Sequence, residues 1–273
     1  MPSSPPKPAA AHLPTPALEA GIMRYRNPRD VRNRPHHQHM FLIQRPATVL
    51  ERLLDVIRVV PGSIGRKAAR KLYRAYVARR LAEFFAVIEG LPKGSLCIDL
   101  GANVGEISEG MLDRGMRVIA FEPDPATFAK LSQRLEGRDG VKLLCAAAGV
   151  SDGLAEIQRP EGWSEATLKG SPGSSLVHRG KGMDAGTATG VRVLDFASFV
   201  RGLGERIAVL KVDIEGGEWE LIPHLVQSGC LDLMDHLFVE THEWMDPSRC
   251  AQAADFRQMA KQRPSPHMTF DWV

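Results

Sequence analysis

From Ser95 onward, short aliphatic runs alternate with amphipathic stretches, and this alternation restricts the chain to a parallel sheet flanked by helices. Strand patterns fall at 95–100 (SLCIDL), 117–122 (RVIAFE), 141–148 (VKLLCAAA), 207–213 (IAVLKVD), 236–241 (HLFVET) and 267–272 (HMTFDW). Helical patterns lie near 105–114, 125–136, 195–203, 217–227 and 248–261. Pro125 and Pro247 suit first helical turns, where a missing N–H is no loss. Residues 160–190 break the alternation with seven glycines and no clear period, and there we expect a mobile lid or substrate loop.

The segment before this region is of another kind. Residues 1–23 form a Pro/Ala-rich tail that cannot bury enough apolar surface to order itself. Residues 24–90 read as a basic helical extension, and residues 91–273 as the main domain. Between 24 and 80 fifteen Lys/Arg face three acids, a local balance of +12, whereas the whole chain carries only +3, so the main domain is acidic. Val49, Leu50, Leu53, Leu54, Ile57 and Val60 recur at three/four spacing, as do Leu72, Tyr76, Val77, Leu81, Phe84, Phe85 and Ile88, with Pro61-Gly62 between the two helices. Two readings stand: solvated charged faces on helices packed against the core, or an amphipathic surface that meets anionic lipid or nucleic acid. His36, His37 and His39 sit in a Pro/Arg-rich loop and read as a surface cluster.

Composition removes several classes. With 44% hydrophobic and 25% charged residues, a purely disordered chain is excluded. Cys97, Cys145, Cys230 and Cys250 are too scattered for a disulfide framework or a zinc site, and read as reduced thiols of a cytoplasmic protein. No apolar run approaches the ~20 residues of a spanning helix, so any membrane position is peripheral, at the inner face.

The first strand ends in Asp99-Leu100-Gly101-Ala102-Asn103-Val104-Gly105, placing glycines where backbone must turn sharply and let a ligand approach. Asn103 replaces the second glycine of the dinucleotide fingerprint, which argues against a dehydrogenase. The second strand ends in Phe121-Glu122-Pro123-Asp124, with Glu122 seventeen residues after Gly105, where an acid accepts both hydroxyls of an unphosphorylated ribose.

The ordered set D-L-G-A-N-V-G, F-E-P-D-P, S-D-G, K-V-D-I-E-G-G-E-W-E-L and V-E-T-H resembles class I S-adenosylmethionine-dependent methyltransferases, and specifically the FkbM family, over roughly residues 90–245. The resemblance implies an α/β fold: a Rossmann-like, doubly wound, mostly parallel sheet with flanking helices, here preceded by the helical N-terminal extension. It implies S-adenosylmethionine as methyl donor and O-methylation of a sugar hydroxyl in a glycan, glycolipid or secondary metabolite. Asp99, Gly101, Asn103 and Gly105 would hold the methionine part, Glu122 the ribose, and Asp152, in Gly149-Val150-Ser151-Asp152, would lie by the adenine. The family fold closes with a seventh, antiparallel strand; six strand patterns are counted here, the sixth at 267–272, so either that strand is missing or the count is off by one.

Strand ends at Lys211-Val212-Asp213-Ile214-Glu215-Gly216-Gly217-Glu218 and Glu240-Thr241-His242 fall at the same edge of such a sheet. Asp213, Glu215, Glu240 and His242 therefore converge beside the donor as the catalytic candidates, while Glu218 caps the next helix. A sugar hydroxyl needs a positioned base; His242, with an ordinary pKa near ~6.5, suits that task, with Asp213 orienting the acceptor. The carboxylates also suit a divalent cation, Mg²⁺ or Ca²⁺. Ser174-Ser175-Leu176 matches a serine pair of the family and is expected near the acceptor. The fourth strand lacks the Asp/Asn-Pro-Pro-aromatic signature of methyltransferases acting on planar nitrogens. Besides a carbohydrate-containing acceptor, two alternatives remain: an RNA methyltransferase using the basic arm, or a non-catalytic cofactor-binding scaffold docking on membrane or partner through residues 24–80.

Overall fold

The computed structural model describes residues 48–160, 183–243 and 245–272. The tail, the His36–His39 cluster and Ser174-Ser175-Leu176 lie outside them. Two helices open the described chain, α1 (Val49–Ile57) and α2 (Ser63–Glu89). Strand and helix then alternate: β1 (Leu96–Leu100), α3 (Glu106–Asp113), β2 (Arg117–Phe121), α4 (Pro125–Arg134) and β3 (Val141–Leu144). After β4 (Ala147–Gly149), β5 (Gly153–Pro160) and β6 (Met183–Asp195) come α5 (Phe196–Leu203), β7 (Ile207–Val212), α6 (Glu218–Gln227), β8 (Met234–Val239), α7 (Cys250–Gln262) and β9 (His267–Thr269).

The main sheet runs β3-β2-β1-β7-β8-β9 and every pairing in it is parallel. Period-two alternation sorts its side chains onto two buried faces. Leu96, Ile98, Leu100, Phe121, Leu237 and Val239 pack with Phe196, Val200, Leu221, Ile222 and Phe256 of α5, α6 and α7. Cys97, Val118, Ala120, Val209 and Phe238 pack with Phe84 and Ile88 of α2, Met111 of α3 and Leu131 of α4. The sheet is thus doubly wound, and α2 belongs to one of its helical layers. Phe84 stands edge-on to Phe238 with ring centroids 5.0 Å apart and tilts against Trp272 at 4.7 Å. Asp124 starts α4 by accepting from the Ala126 N–H (2.9 Å), with Pro125 at the first turn.

Two expectations need correction. The third strand pattern splits: Val141–Leu144 joins the main sheet, whereas Ala147–Gly149 pairs with β6 in a second sheet of order β4-β6-β5. Burial of Ala146, Ala147 and Ala148 keeps the hydropathy continuous across the change of sheet, so the pattern hides it. The stretch expected to be an irregular lid is bounded by a β-hairpin, with β5 and β6 antiparallel, and residues 161–182 lie outside the described residues. No antiparallel strand closes the main sheet among the described residues, where β9 forms the edge.

α1 departs from the inward-packing reading. Its buried positions are Glu51 and Leu54, while Val49, Leu53 and Val56 face solvent. No helix of the described residues is long and apolar enough to cross a membrane.

Candidate functional site

The main sheet's register builds the site. Leu144, Phe121, Leu100, Val212 and Val239 stand side by side on β3, β2, β1, β7 and β8. The next step along the chain puts Glu122, Gly101, Asp213 and Glu240 in one row past the carboxyl ends of β2, β1, β7 and β8. Backbone bonds continue the ladder through that step, from Glu122 N to Leu144 O, Gly101 N to Phe121 O, Asp213 N to Leu100 O and Glu240 N to Val212 O, all at 2.9–3.1 Å. The chain winds outward from β1 in one direction and from β7 in the other, so the row straddles the switch point where open α/β sheets bind ligands.

A cleft opens there, about 720 Å³ with the open solvent at its mouth included. Phe121, Pro123, Ala146, Ala148 and Ile157 give its lining an apolar part, and Gly101, Asn103, Glu122, Asp213, Glu215 and Gly217 also line it. Gly101 has φ +74°, and a Cβ there would come within 1.8 Å of the Asp213 carbonyl oxygen, so only glycine lets the β1 turn pass the end of β7. Asn103 and Glu215 are the two non-glycine residues with positive φ among the described residues, at 52° and 50°, and both line the cleft. Such strain concentrates where structure serves a ligand.

Glu122 accepts from the N–H groups of Asn103 (3.0 Å) and Asp124 (2.9 Å), one on each carboxylate oxygen. Burial nevertheless pushes its pKa up to about 7, outweighing those two donors. Asp99 lies behind the turn: fully buried, it accepts from Ser108 Oγ (2.7 Å) and pairs with Lys211 Nζ (3.1 Å). Gly105 starts α3 at φ +88°, against Leu131, and does not line the cleft. Asp152 also lies outside the lining residues, exposed, where it accepts from the Asp195 N–H (3.0 Å) and fastens β4 to the end of β6. Of the expected cofactor residues, Gly101, Asn103 and Glu122 thus face the cleft, while Asp99, Gly105 and Asp152 hold its walls.

Lys211 was quoted within its motif without a role. It is buried, donates to the Gly101 carbonyl (2.9 Å), and joins Asp99 to Asp213 (3.4 Å). Burial opposes its charge, but Asp99 and Asp213 more than compensate, so its pKa is raised. One ammonium therefore ties the glycine turn to the β7 carboxylate.

The catalytic candidates do converge. His242 Nε2 lies 3.7 Å from Asp213, 3.4 Å from Glu215 and 3.8 Å from Glu240. Glu218 locks the other side of the ring, accepting from the His242 backbone N–H (2.9 Å) and meeting Nδ1 at 3.0 Å, while its second oxygen accepts from the Gly216 N–H (2.9 Å). Glu218 was expected to cap α6, but that helix has no side-chain cap bond; its carboxylate holds the preceding turn and the histidine instead.

The surroundings of His242 favour its charged form. Burial disfavours its charge, but Glu218, Glu240 and Glu215 outweigh that and raise its pKa well above the ordinary value. A charged ring has both nitrogens protonated and no site left for a further proton. Burial and the neighbouring Asp213 charge push Glu240 up to about 8. Asp213 is the more open carboxylate, with 28% of its side chain exposed against 2% for His242. Tyr73 of α2 stands near enough to feel Glu240 and Asp213: burial first, then their charges, raise its pKa. No spacing in the sequence pointed to Tyr73, because it arrives from a helix outside the motifs. Asp213, Glu215 and His242 each offer a ligand atom, all within 4.8 Å of one another.

Glycine turn, acid and carboxylate row at the switch point of a doubly wound parallel sheet define a transferase built to hold a nucleoside cofactor. The methyltransferase FkbM domain model matches residues 99–263, more than half of the chain, and the chain belongs to that family. It is accordingly an S-adenosylmethionine-dependent methyltransferase. Comparison with curated proteins gives no match. The cleft lining suits that cofactor in kind: apolar side chains for a flat base, Glu122 as an acid for vicinal hydroxyls, and the carboxylates Asp213 and Glu215 for a cationic sulfur.

Proposed function

We propose that the chain methylates a hydroxyl oxygen of a sugar in a glycan, glycolipid or secondary metabolite. The observation that carries this reading is the pair of carboxylates, Asp213 and Glu215, that line the cleft. Such a surface accepts hydrogen bonds from a neutral polyol and repels a polyanion. That charge weighs against RNA as the acceptor.

In this reading Gly101 and Asn103 give backbone room and contacts to the methionine part of the cofactor, and Glu122 accepts from its ribose. Bound S-adenosylmethionine supplies a methyl carbon on a cationic sulfur, a charge that the cleft's carboxylates favour. Asp213, held by Lys211, would take the acceptor hydroxyl's proton, and bound S-adenosylmethionine would supply the methyl group that the hydroxyl oxygen receives. His242, kept charged by Glu218, positions the surrounding carboxylates.

Asp213→Asn tests this. Turnover, followed as S-adenosylhomocysteine release with glycan and glycolipid fractions, should fall about 10²–10⁴-fold, the usual worth of a positioned base. Cofactor affinity should change little. Full turnover in the variant, or methylation of RNA but of no carbohydrate, would overturn the reading.

A divalent cation is the second reading, favoured by the Asp213, Glu215 and His242 atoms lying within 4.8 Å of one another. Oxygen-rich sets of this kind suit Mg²⁺ or Ca²⁺. Calorimetric titration of the chelator-treated protein with MgCl₂ and CaCl₂ should then show binding that Glu215→Gln abolishes. Absence of heat from both salts rejects it.

A further inference from the structure

Seven of the ten large hydrophobic side chains exposed among the described residues lie between Val49 and Ile64. On α1, Val49, Leu53 and Val56 recur at helical spacing as one outward stripe, which Val60 and Ile64 continue into α2; Leu53 is 56% and Val56 68% exposed. The helix face turned inward carries instead Glu51, paired with Arg79 at 3.4 Å, and Leu54. An amphipathic helix packed this way leaves its apolar side for something else.

The rim shows what that is. Arg52, Arg66, Lys67, Arg70, Lys71 and Arg74 are all exposed around the elbow. The acids of this stretch are neutralised locally, Glu51 by Arg79 and Asp55 by Arg58 at 2.5 Å. We propose that the α1–α2 elbow docks peripherally on an anionic lipid bilayer, its aliphatic stripe entering the acyl boundary and its basic rim meeting headgroup phosphates. Charge complementarity selects this occupant. A second copy would press two basic rims together, and nucleic acid would find in the stripe only aliphatic side chains, with no aromatic face on which a base could stack.

Docking also sets the position of the cleft. Tyr73, which feels Glu240 and Asp213, lies nine residues beyond Ile64, about 14 Å along α2 at 1.5 Å per residue. A saccharide linked to lipid spans that distance. This last step rests on the sugar-hydroxyl reading above, whereas the docking itself does not.

The test is flotation of the full chain with vesicles of phosphatidylcholine alone, and with three-tenths phosphatidylglycerol, at physiological salt. The protein should float only with the anionic vesicles. Leu53→Glu with Val56→Glu, both at exposed positions, should cut the bound fraction at least ten-fold with S-adenosylmethionine affinity unchanged. Arg70→Ala or Arg74→Ala should each weaken binding about five-fold, the worth of one basic side chain at an anionic surface. No flotation, equal flotation with neutral vesicles, or flotation unaffected by the stripe variant would overturn the proposal. So would a dimer that the same variant dissolves, or RNA binding that outcompetes the vesicles. Because no acceptor is present, the outcome is independent of whether a sugar is the substrate.

Discussion

Acidification through neutrality should loosen the cofactor, because Glu122 changes charge there. Its folded pKa of about 7 lies far above the ordinary carboxylate value of 4.5. Ribose hydroxyls donate to the ionised form, whereas a protonated Glu122 turns one acceptor into a donor. If binding requires the carboxylate, the apparent Kd scales as 1 + 10^(7 − pH), about two-fold weaker at pH 7 and about ten-fold weaker at pH 6 than above pH 8. Folding stability moves the other way. A raised folded pKa means that the native chain holds a proton the unfolded chain has lost, so this contribution is complete below about pH 4.5 and fades as pH rises through 7. It amounts to at most about 3 kcal/mol at 1.36 kcal/mol per unit.

Calorimetry with S-adenosylhomocysteine between pH 5.5 and 7.5, alongside urea melts over the same range, reads both slopes. Glu122→Gln should bind weakly at every pH, with no slope, and remain folded. It frees the site of the buried charge but turns an N–H₂ toward one of the two backbone donors, from Asn103 or Asp124. A wild type whose affinity is flat over this window, or a Gln variant that keeps the slope, would refute the argument.

Lys211→Met leaves Asp99 buried without its cation and should cost about 3–5 kcal/mol in denaturant unfolding. Gly101→Ala forces a Cβ to within 1.8 Å of the Asp213 carbonyl and should lower the Tm by several degrees and abolish cofactor binding. Gly202→Ala, on an open face of α5 with nothing within 4 Å, should stabilise slightly and serves as the control. Phe84→Ala removes a fully buried ring between Phe238 and Trp272 and should cost about 3–5 kcal/mol, showing by urea melts that α2 is part of the main core.

The parallel sheet and its active edge were legible because both depend on local pattern. Buried parallel strands read as continuous apolar runs, and strand ends carry the residues that parallel register then aligns. Asp213 and Glu240 could thus be brought together from the sequence. Two other features were not legible, for reasons that differ. β6 opens as MDAGTATG, with no apolar alternation before Val191, and what the structure shows for it is backbone pairing with β5. On α1 the periodicity was right and the direction was hidden, since a stripe of Val and Leu looks the same whether a core or another surface receives it.

Protonation state was the least legible property of the site. In isolation a histidine after a strand end suggests a base, because its ordinary pKa is near ~6.5. Here α6 starts with Glu218 directly beneath His242, and the neighbouring strands bring Asp213, Glu215 and Glu240 to its other nitrogen. Each contact alone is ordinary; their sum holds the ring charged. The task of accepting a proton then passes to the carboxylate that is both open to the cleft and anchored by a buried lysine, which is Asp213. Asp213→Asn should therefore lose turnover while keeping the fold, and His242→Gln, which deprives Glu218 of its partner in the buried interior, should lose stability first. Comparing kcat with the urea midpoint for the two variants separates those outcomes. Equal loss of turnover at full stability in His242→Gln would return the base to the histidine.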